Sequence, residues 1–426
     1  MRRFSRENPR VFVGLSEVSG YYSRIVDHLR GTGYPISFNQ FSFHPFAYDH
    51  GKQLTDYPFQ RELVVEQGIS RTFSSVLRRH LMRFHLFLWA VRHHDVFVFS
   101  YGNSFSNSSL DLILLRLLRK RIVMFVAHGS ESRPAYMDGA HWSAAIQSDD
   151  PINTVRNIAR RQCRKMRRIE VISNCVIAHP LTSQFLSRRS VNSSCIGLPV
   201  PQIQYSSMEK VSSSFKIVHA PSNRRAKGSD LIRDVVHDLS RIFPEIQYKE
   251  LFGISNAEVL NELATADLLI DQLYSDTVLA GVGVEAASFG VATFVCGYGF
   301  EELRCHIDSA LLPPAFTSHP DVFKQSLAEL LENKKAIHAM GASAKNFVTS
   351  TWSIEQVAQR FLDVAIGYAK EEWIFDPSEI SYSFGSGLPM EDLEQIREAG
   401  VHRFGDSFIQ IRPRHQQAKR FLSLFK

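Results

Sequence analysis

Cysteine is scarce in this chain of 426 residues and follows no recognisable pattern. The five cysteines are scattered and odd in number, and no two of them have the CxxC spacing. The sequence therefore predicts neither a disulfide framework nor a cysteine-based zinc site. We therefore expect reduced thiols in a cytoplasmic protein.

Long apolar runs are missing as well. The most apolar segments, residues 86–91 and 110–118, are far shorter than the roughly 20 residues that a membrane span needs. Residues 1–6 are charged, but no apolar stretch of signal-peptide length follows them. We expect neither an export signal nor a membrane anchor in this sequence.

Neither sign of charge dominates. Lys and Arg number 49 against 43 Asp and Glu, a formal net charge of +6. This mild basic excess suits an anionic donor, an anionic lipid surface or a nucleic acid, and alone it does not choose among them. With 44% hydrophobic and 22% charged residues, the composition is that of a folded protein, and the length suits two domains.

What the sequence does have is a regular alternation of short apolar runs and amphipathic helical patterns, which is typical of parallel α/β units. The alternation lapses between residues 199 and 214, which are rich in proline and serine, and restarts at Lys216. We predict an α/β fold of two doubly wound domains. Their expected bounds are 1–205 and 206–370, and a C-terminal extension, 371–426, is expected to pack back on the first domain or on a partner.

The first candidate site is the loop after the predicted strand 216–219. It contains Ser222, Asn223, Arg225 and Lys227. Glycine follows these residues, and Ser229 is predicted to begin a helix, so that backbone N–H groups, the helix dipole and the cations could together bind an anion. Alternatively, Ser229 only caps the helix and the arginines are solvated.

The second candidate site follows a predicted strand at 268–271. It contains Gly281, Gly283, Val284 and Glu285. Glycines at a helix start let backbone amides approach a diphosphate closely, and Glu285, predicted in the first turn, could accept hydrogen bonds from ribose hydroxyls. Alternatively, Glu285 only favours the helix start and Gly283 only permits close packing.

In this order, the two segments make residues 216–368 resemble the donor-binding half of the retaining glycosyltransferase family 4 and its relatives. The matching landmarks are a strand ending in HAPSN, the Lys227–Gly228 pair, a middle loop at Gly253, the strand ADLLIDQL, and G-x-G-x-EAASFG-x-A. The resemblance implies a GT-B fold with two Rossmann-like domains facing across a cleft. It also implies transfer of a sugar from a nucleotide-diphosphate-sugar donor.

The resemblance carries residue roles with it. Lys227 takes the family's contact with the donor diphosphate and Glu285 its contact with the ribose, while the remaining residues of both segments line the donor. The sequence departs from the family twice. Thr277, next to Asp276, stands where the first of two glutamates is usual, and Ser222 replaces an arginine, so that Arg225 or Arg224 must substitute.

The N-terminal half matches more loosely. Gly20 lies where the family keeps glycines that face the donor, and residues 128–133 resemble an HGSD-x-R loop at the cleft. This implies a contact of His128 with the donor sugar or the acceptor, and an acceptor-side position for Glu131 and Arg133. A histidine after a strand can also be purely structural.

The chemistry implied is substitution at the anomeric carbon, which needs neutralisation of the departing diphosphate and stabilisation of an oxocarbenium-like centre. Arg225 and Lys227 are expected to neutralise the diphosphate, with no metal and no other cofactor. The acceptor could be a surface glycan, a lipid-linked sugar or a protein. Alternatives are a GT-B epimerase or phosphorylase, or a catalytically degenerate scaffold that binds a nucleotide sugar or a partner protein.

Seven basic residues fall within residues 156–168. They form either a solvated helix face or a contact with an anionic membrane at its cytoplasmic side. We expect no nucleic-acid partner, because no recognised binding module accompanies the charge.

Overall fold

The computed structural model describes residues 8–40, 56–57, 73–106, 108–200 and 214–411, without the side chains of 73–79. Most of the predicted linker and the tail after residue 411 lie outside the described residues. The described chain forms two sheets, each with its own helices, which we call the first unit and the second unit. The α/β class predicted from the sequence is confirmed.

The first unit begins with six parallel strands and the helices that connect them. Its strands are β1 (Val11–Leu15), β2 (Ile36–Gln40), β3 (Val96–Ser100), β4 (Arg121–Phe125), β5 (Cys175–Ala178) and β6 (Ser190–Asn192). Its helices are α1 (Tyr21–Gly31), α2 (Phe73–His93), α3 (Leu110–Leu117), α4 (Gly139–Ala145), α5 (Pro151–Ile172) and α6 (Ser193–Ile196).

The second unit is a five-stranded parallel sheet. Its strands are β7 (Phe215–His219), β8 (Ile246–Glu250), β9 (Leu268–Ile270), β10 (Ala292–Cys296) and β11 (Phe316–Ser318), in the order β11-β10-β9-β7-β8. Its helices are α7 (Arg224–Lys227), α8 (Ser229–Ser240), α9 (Asn256–Leu263), α10 (Gly281–Ser288), α11 (Phe300–Arg304), α12 (Phe323–Glu332) and α13 (Lys334–Ser350).

After α13 the chain returns to the first unit. It forms α14 (Ile354–Ile366), β12 (Ile374–Phe375) and α15 (Met390–Phe404). Helix α14 packs on α1, β12 pairs antiparallel with β6, and α15 packs on α5. The first sheet therefore has seven strands, in the order β12-β6-β5-β4-β3-β1-β2. Although the sequence places α14 in the second domain, its contacts are with the first unit.

Buried apolar strands explain why the sheets are parallel. Strand β1 is fully buried, and its register pairs Val11 with Ile36 on one side and with Val96 on the other. Successive side chains point to opposite faces, so Phe12 joins the core beneath α2, α3 and α5, whereas Val13 joins the core beneath α1 and α14. Sheets covered by helices on both faces need such continuous apolar strands.

None of the helices in the described ranges combines the length and the apolar character needed to cross a membrane.

Candidate functional site

A cavity of about 270 Å³ lies between the two units, at the carboxyl ends of their strands. The first unit contributes the loops after β1, β4 and β5, and the second unit contributes the loop after β9 and the start of α10. Its charged and polar lining includes Arg24, His128, His179, Asp276, Thr277 and Glu285. Ligands of doubly wound sheets bind at this edge of the strands, so the cavity is the candidate site.

Glu285 lies in the wall that the second unit contributes. Helix α10 begins at Gly281, so Glu285 lies in its second turn. The sequence-based prediction, which placed Glu285 in the first turn, is wrong on this point. Its side chain is buried, Oε1 accepts a hydrogen bond of 2.9 Å from Asn256 Nδ2, and Oε2 has no partner among the described residues. Burial raises the pKa of Glu285 to about 7, against the opposing effects of Asn256 and Arg24.

The other predicted residues of this segment lie close by. Gly281 and Val284 line the cavity, and a Cβ on Gly283 would meet the side chain of Leu279 at 2.8 Å. Gly283 therefore permits close packing behind the wall, as its alternative interpretation held. Gly253, in the loop after β8, does not line the cavity; it has φ +72°, and a Cβ there would meet no described atom within 4 Å.

His128 follows β4 and lies in the opposite wall. Its Nδ1 lies 2.7 Å from Glu131 Oε1, its Nε2 lies 3.2 Å from the Tyr22 hydroxyl, and its ring stacks on Tyr101 with centroids 4.3 Å apart. These three contacts fix the imidazole at the cavity. Glu131 therefore lies behind His128 as its hydrogen-bond partner.

Arg133 joins the two units. Its guanidinium is buried, with Nη2 2.6 Å from Asp138 of the first unit and Nη1 in an ion pair with Asp276 of the second. Burial acts to lower the pKa of Arg133, but Asp276 and Asp138 outweigh it and raise the pKa above its ordinary value. Arg133 thus holds Asp276 in place at the cavity edge.

His179 is a lining residue that the sequence did not single out. It follows β5 and is buried, yet neither ring nitrogen has a hydrogen-bond partner among the described residues. Two other buried histidines differ in this respect. His219 contacts Ile270 O and Ser229 Oγ, and His94 contacts Ala90 O and Ser37 Oγ, each with both nitrogens. The resemblance to an HGSD-x-R loop singled out His128, whereas His179 directly follows β5 without such a loop around it.

Two further lining residues have a buried polar group without a partner. The Tyr21 hydroxyl and the Trp352 indole Nε1 belong to lining side chains, and neither has a hydrogen-bond partner within the described part of the chain. Buried polar groups are nearly always hydrogen-bonded, so each such group asks for an explanation. Together with Glu285 and His179, four residues that line one cavity have buried polar atoms with unused hydrogen-bonding capacity.

The basic loop after β7 does not line this cavity. The Lys227 ammonium lies 2.5 Å from Asp271 Oδ1, and Arg225 Nη2 lies 3.1 Å from Asp392 Oδ2 in α15. Asn223 Oδ1 accepts from Ala226 N and caps the short helix α7, and Ser222 is exposed. The structure therefore gives each of these residues a partner or a place outside the cavity.

The C-terminal extension contacts both units beside this basic loop. Ser386 O accepts from Gly139 N and Gly387 N donates to Tyr274 O, both at 2.8 Å, so the segment bridges the two units. Gly387 has φ +72°, and a Cβ on Gly139 would lie 1.7 Å from Gly387 O, which makes glycine necessary at this contact.

Gly20 occupies the N-cap of α1 with φ +76°, a left-handed conformation that glycine adopts readily. A Cβ there would lie 3.1 Å from the Arg24 guanidinium, and Arg24 lines the cavity. Gly20 thus leaves room for that cation.

Across the described residues, no group of three His, Cys, Asp or Glu side chains is arranged to hold a metal ion.

The ion pair of Lys227 with the fully buried Asp271 gives a stability prediction. Replacing Lys227 by methionine leaves a buried carboxylate without its cation, and breaking a buried pair in this way costs about 3–5 kcal/mol of unfolding free energy. The double variant Lys227→Met/Asp271→Asn should regain most of the loss in urea unfolding. If Lys227→Met alone is as stable as the wild type, the ion pair contributes nothing and Lys227 is available to a ligand.

Comparison with known proteins rests on structure alone. No family model and no curated protein matches the chain. HepE from Anabaena, solved in complex with UDP and glucose, is similar over 84% of this chain and 99% of its own, with 12% identity and a TM-score of 0.53. The catalytic domain of starch synthase IV from Arabidopsis thaliana, bound to ADP and acarbose, covers 84% of this chain and 99% of its own, with 10% identity and a TM-score of 0.49. At this identity the similarity to HepE shows a shared fold.

Proposed function

Because the chain has the GT-B fold and a cavity between its two units, we propose that it is a glycosyltransferase. It would bind a nucleotide-diphosphate sugar in the cavity and transfer the sugar to an acceptor, which could be a surface glycan, a lipid-linked sugar or a protein. HepE, which shares the fold, was solved with UDP and glucose.

One observation carries this proposal. Tyr21, His179, Glu285 and Trp352 all line the cavity, and each has a buried polar atom with no partner among the described residues. Leaving such an atom unsatisfied costs about 1–3 kcal/mol, so a ligand that satisfies several of them at once is strongly favoured. A sugar nucleotide offers many hydroxyl donors and acceptors for this purpose.

We assign each part of the donor to the wall of the cavity whose chemistry suits it. The first backbone N–H groups of α10, from Gly281 onward, and the Arg24 side chain meet at the cavity and would bind the diphosphate. Glu285 would accept hydrogen bonds from the two ribose hydroxyls. His128, fixed by Tyr22 and Glu131, and the imidazole of His179 would contact the sugar.

In the reaction, an acceptor hydroxyl oxygen would form a bond to the anomeric carbon on the face from which the diphosphate departs, while the bond from that carbon to the diphosphate oxygen breaks. The electron pair leaves with the diphosphate, whose departing oxygen takes up the acceptor proton. Charge accumulates on the departing oxygen, where α10 and Arg24 would stabilise it. We propose that transfer needs no divalent ion, and, from the family resemblance, that it retains the anomeric configuration.

Lys227 and Arg225 have a different place in this proposal from the one that the resemblance implies. Each would reach the diphosphate only after leaving its partner, Asp271 or Asp392. Arg24 lines the cavity and these two residues do not, so we assign neutralisation of the leaving group to the α10 N-terminus and Arg24, and a structural role at the cleft to the basic loop.

The second candidate function is a scaffold that binds a nucleotide sugar without turnover. Thr277 favours it, because this lining residue stands where the resembling family has a carboxylate. Release of nucleoside diphosphate from a bound donor separates the two functions.

His179→Phe tests the assignment of the sugar contact. We expect the variant to bind nucleoside diphosphates like the wild type and to bind the sugar-bearing donor about 3–10-fold more weakly, the effect of one lost hydrogen bond. Its unfolding midpoint should stay the same or rise, since no described residue bonds to the ring. Calorimetric titration with matched pairs of nucleotides gives both affinities.

The matched control is His219→Phe. This variant breaks two hydrogen bonds and should lose about 1–3 kcal/mol of stability. Equal affinities of His179→Phe and the wild type for a sugar-bearing donor would remove His179 from the sugar site.

A further inference from the structure

Helix α3 exposes an apolar face, which we call the leucine face. The sequence shows apolar residues at positions i, i+3, i+4, i+7 and i+8, a pattern typical of a face that packs on a core. In the structure this face points to solvent and not to the core, because its five side chains are 45–73% exposed. They are Leu110, Ile113, Leu114, Leu117 and Leu118.

The core beneath α3 does not need the leucine face. Leu112 and Leu115 are buried against the sheet, and they share one core cluster with Ala159 and Met166 of α5. A helix whose buried contacts are complete, and which still presents five large apolar side chains to solvent, marks an interaction surface.

The exposed side of α5 beside it is basic. Arg160, Arg161, Arg164, Arg167 and Arg168 are exposed, and no described acidic side chain pairs with any of them. The other two cations of the cluster are engaged within the protein. Arg156 lies over the Phe404 ring at 4.1 Å, and Lys165 Nζ donates to Tyr101 O at 2.9 Å.

The leucine face and the basic face are neighbours. Helices α3 and α5 contact each other, and Arg116 Nη1 donates to Ile172 O at 2.7 Å, at the end of α5. Val171, 57% exposed, continues the apolar surface at that end. Residues 110–120 and 156–168 hold a single acidic residue, Asp111, which is buried. The combined surface is therefore apolar and cationic, with no exposed negative charge from these two segments.

We propose that the leucine face and the exposed arginines of α5 together dock the protein on an anionic membrane surface. Apolar side chains enter the interface between headgroups and acyl chains, and the arginines contact the lipid phosphates. A second copy of this surface is disfavoured as the occupant, because two like-charged arginine clusters would meet. This inference goes beyond the proposed function and does not depend on it.

Two pairs of variants test the docking surface in the full-length protein. Leu114→Gln/Leu117→Gln removes apolar contacts, and Arg164→Gln/Arg168→Gln removes charge, in each case at exposed positions that leave the core intact. Co-sedimentation is measured with phosphatidylcholine vesicles and with vesicles of phosphatidylcholine and phosphatidylglycerol in equal parts, at low and high salt.

We expect the wild type to sediment with the anionic vesicles and little with the neutral ones, less so at high salt, because exposed charges are screened. One arginine near an anionic bilayer contributes about fivefold in affinity, so the charge pair should lose about 25-fold. The affinity of the leucine pair for the vesicles should fall at least about tenfold at the same salt, since these side chains enter the interface between headgroups and acyl chains.

Matched controls come from the second unit. Leu231→Gln/Ile242→Gln changes exposed apolar residues, and Lys335→Gln/Lys345→Gln changes exposed cations on α13; both should bind vesicles like the wild type. Equal wild-type recovery with neutral and anionic vesicles, or wild-type binding by both α3 and α5 variants, would overturn the proposal. So would a wild-type dimer that the leucine pair dissociates, because the occupant would then be a second copy.

Discussion

Glu285→Gln is expected to stabilise the unliganded protein by about 3 kcal/mol at about pH 8 and to change its stability little at about pH 4. Burial raises the pKa of this carboxyl from 4.5 to about 7. As the pH rises between these values, the unfolded chain releases the proton while the folded chain keeps it, so the wild type loses stability with rising pH. Glutamine cannot ionise, and the loss disappears.

The same substitution should weaken ligand binding. A hydrogen bond to a charged group contributes about 1.5–3 kcal/mol, so nucleoside diphosphate affinity should fall about 10–100-fold. Since the nucleoside diphosphate and its sugar derivative both carry the ribose, the affinity for each should fall by about the same factor. Urea unfolding across the pH range and calorimetric titration measure the two effects on one variant.

Glu258→Gln serves as the control for Glu285→Gln. Glu258 is exposed, and hydrogen bonds from Ser255 lower its pKa, so its pH effect on stability has the opposite sign and its substitution should leave nucleotide affinity unchanged. If Glu285→Gln weakens only the sugar-bearing ligand, Glu285 contacts the sugar and the ribose assignment is wrong.

Arg133→Met is expected to lower the free energy of unfolding by about 3–5 kcal/mol. The guanidinium is buried between Asp138 and Asp276, and its removal leaves both carboxylates without their cation. Because Asp276 belongs to the second unit, the variant should also weaken the contact between the units. Denaturant unfolding followed by tryptophan fluorescence reports the change.

The double variant Arg133→Met/Asp276→Asn removes one of the two stranded charges. It should therefore be more stable than Arg133→Met alone and less stable than the wild type, since Asp138 keeps its charge in the core. A loss below about 1 kcal/mol for Arg133→Met would show that the ion pairs are no stronger than surface pairs.

Local pattern was sufficient to predict the α/β fold. The strand predicted at 216–219 forms as 215–219, the helix predicted to begin at Ser229 forms, and the helix that carries Glu285 forms but begins earlier than predicted, at Gly281. Each depends on apolar periodicity and helix-start residues within one short stretch. The cavity wall built by α10 could therefore be predicted from the sequence alone.

Long-range partners could not be predicted in the same way. The loop sequence predicts that Arg225 binds an anion, but its partner Asp392 lies 167 residues further along the chain. The extension that carries Asp392 has no local signal for the loop that it contacts. Likewise, periodicity identifies the apolar face of α3 without showing on which side of that helix the sheet lies.

His179 shows a third limit. Its position after β5 is visible in the sequence, but its two ring nitrogens stand out only beside His94 and His219, whose ring nitrogens all have partners. Unsatisfied hydrogen bonding is a property of the folded arrangement, so no single-sequence pattern could have separated these histidines.

Incubation of the wild type with a panel of nucleotide-diphosphate sugars, with release of nucleoside diphosphate followed over time, tests the central claim most directly. We predict release from one donor of the panel, persistence of that release in excess chelator, and release about 10–100-fold slower in Glu285→Gln at donor concentrations below the wild-type Kd. Binding of a donor without any release would contradict the transferase and favour the scaffold. Release that Glu285→Gln leaves unchanged would place the reaction outside this cavity.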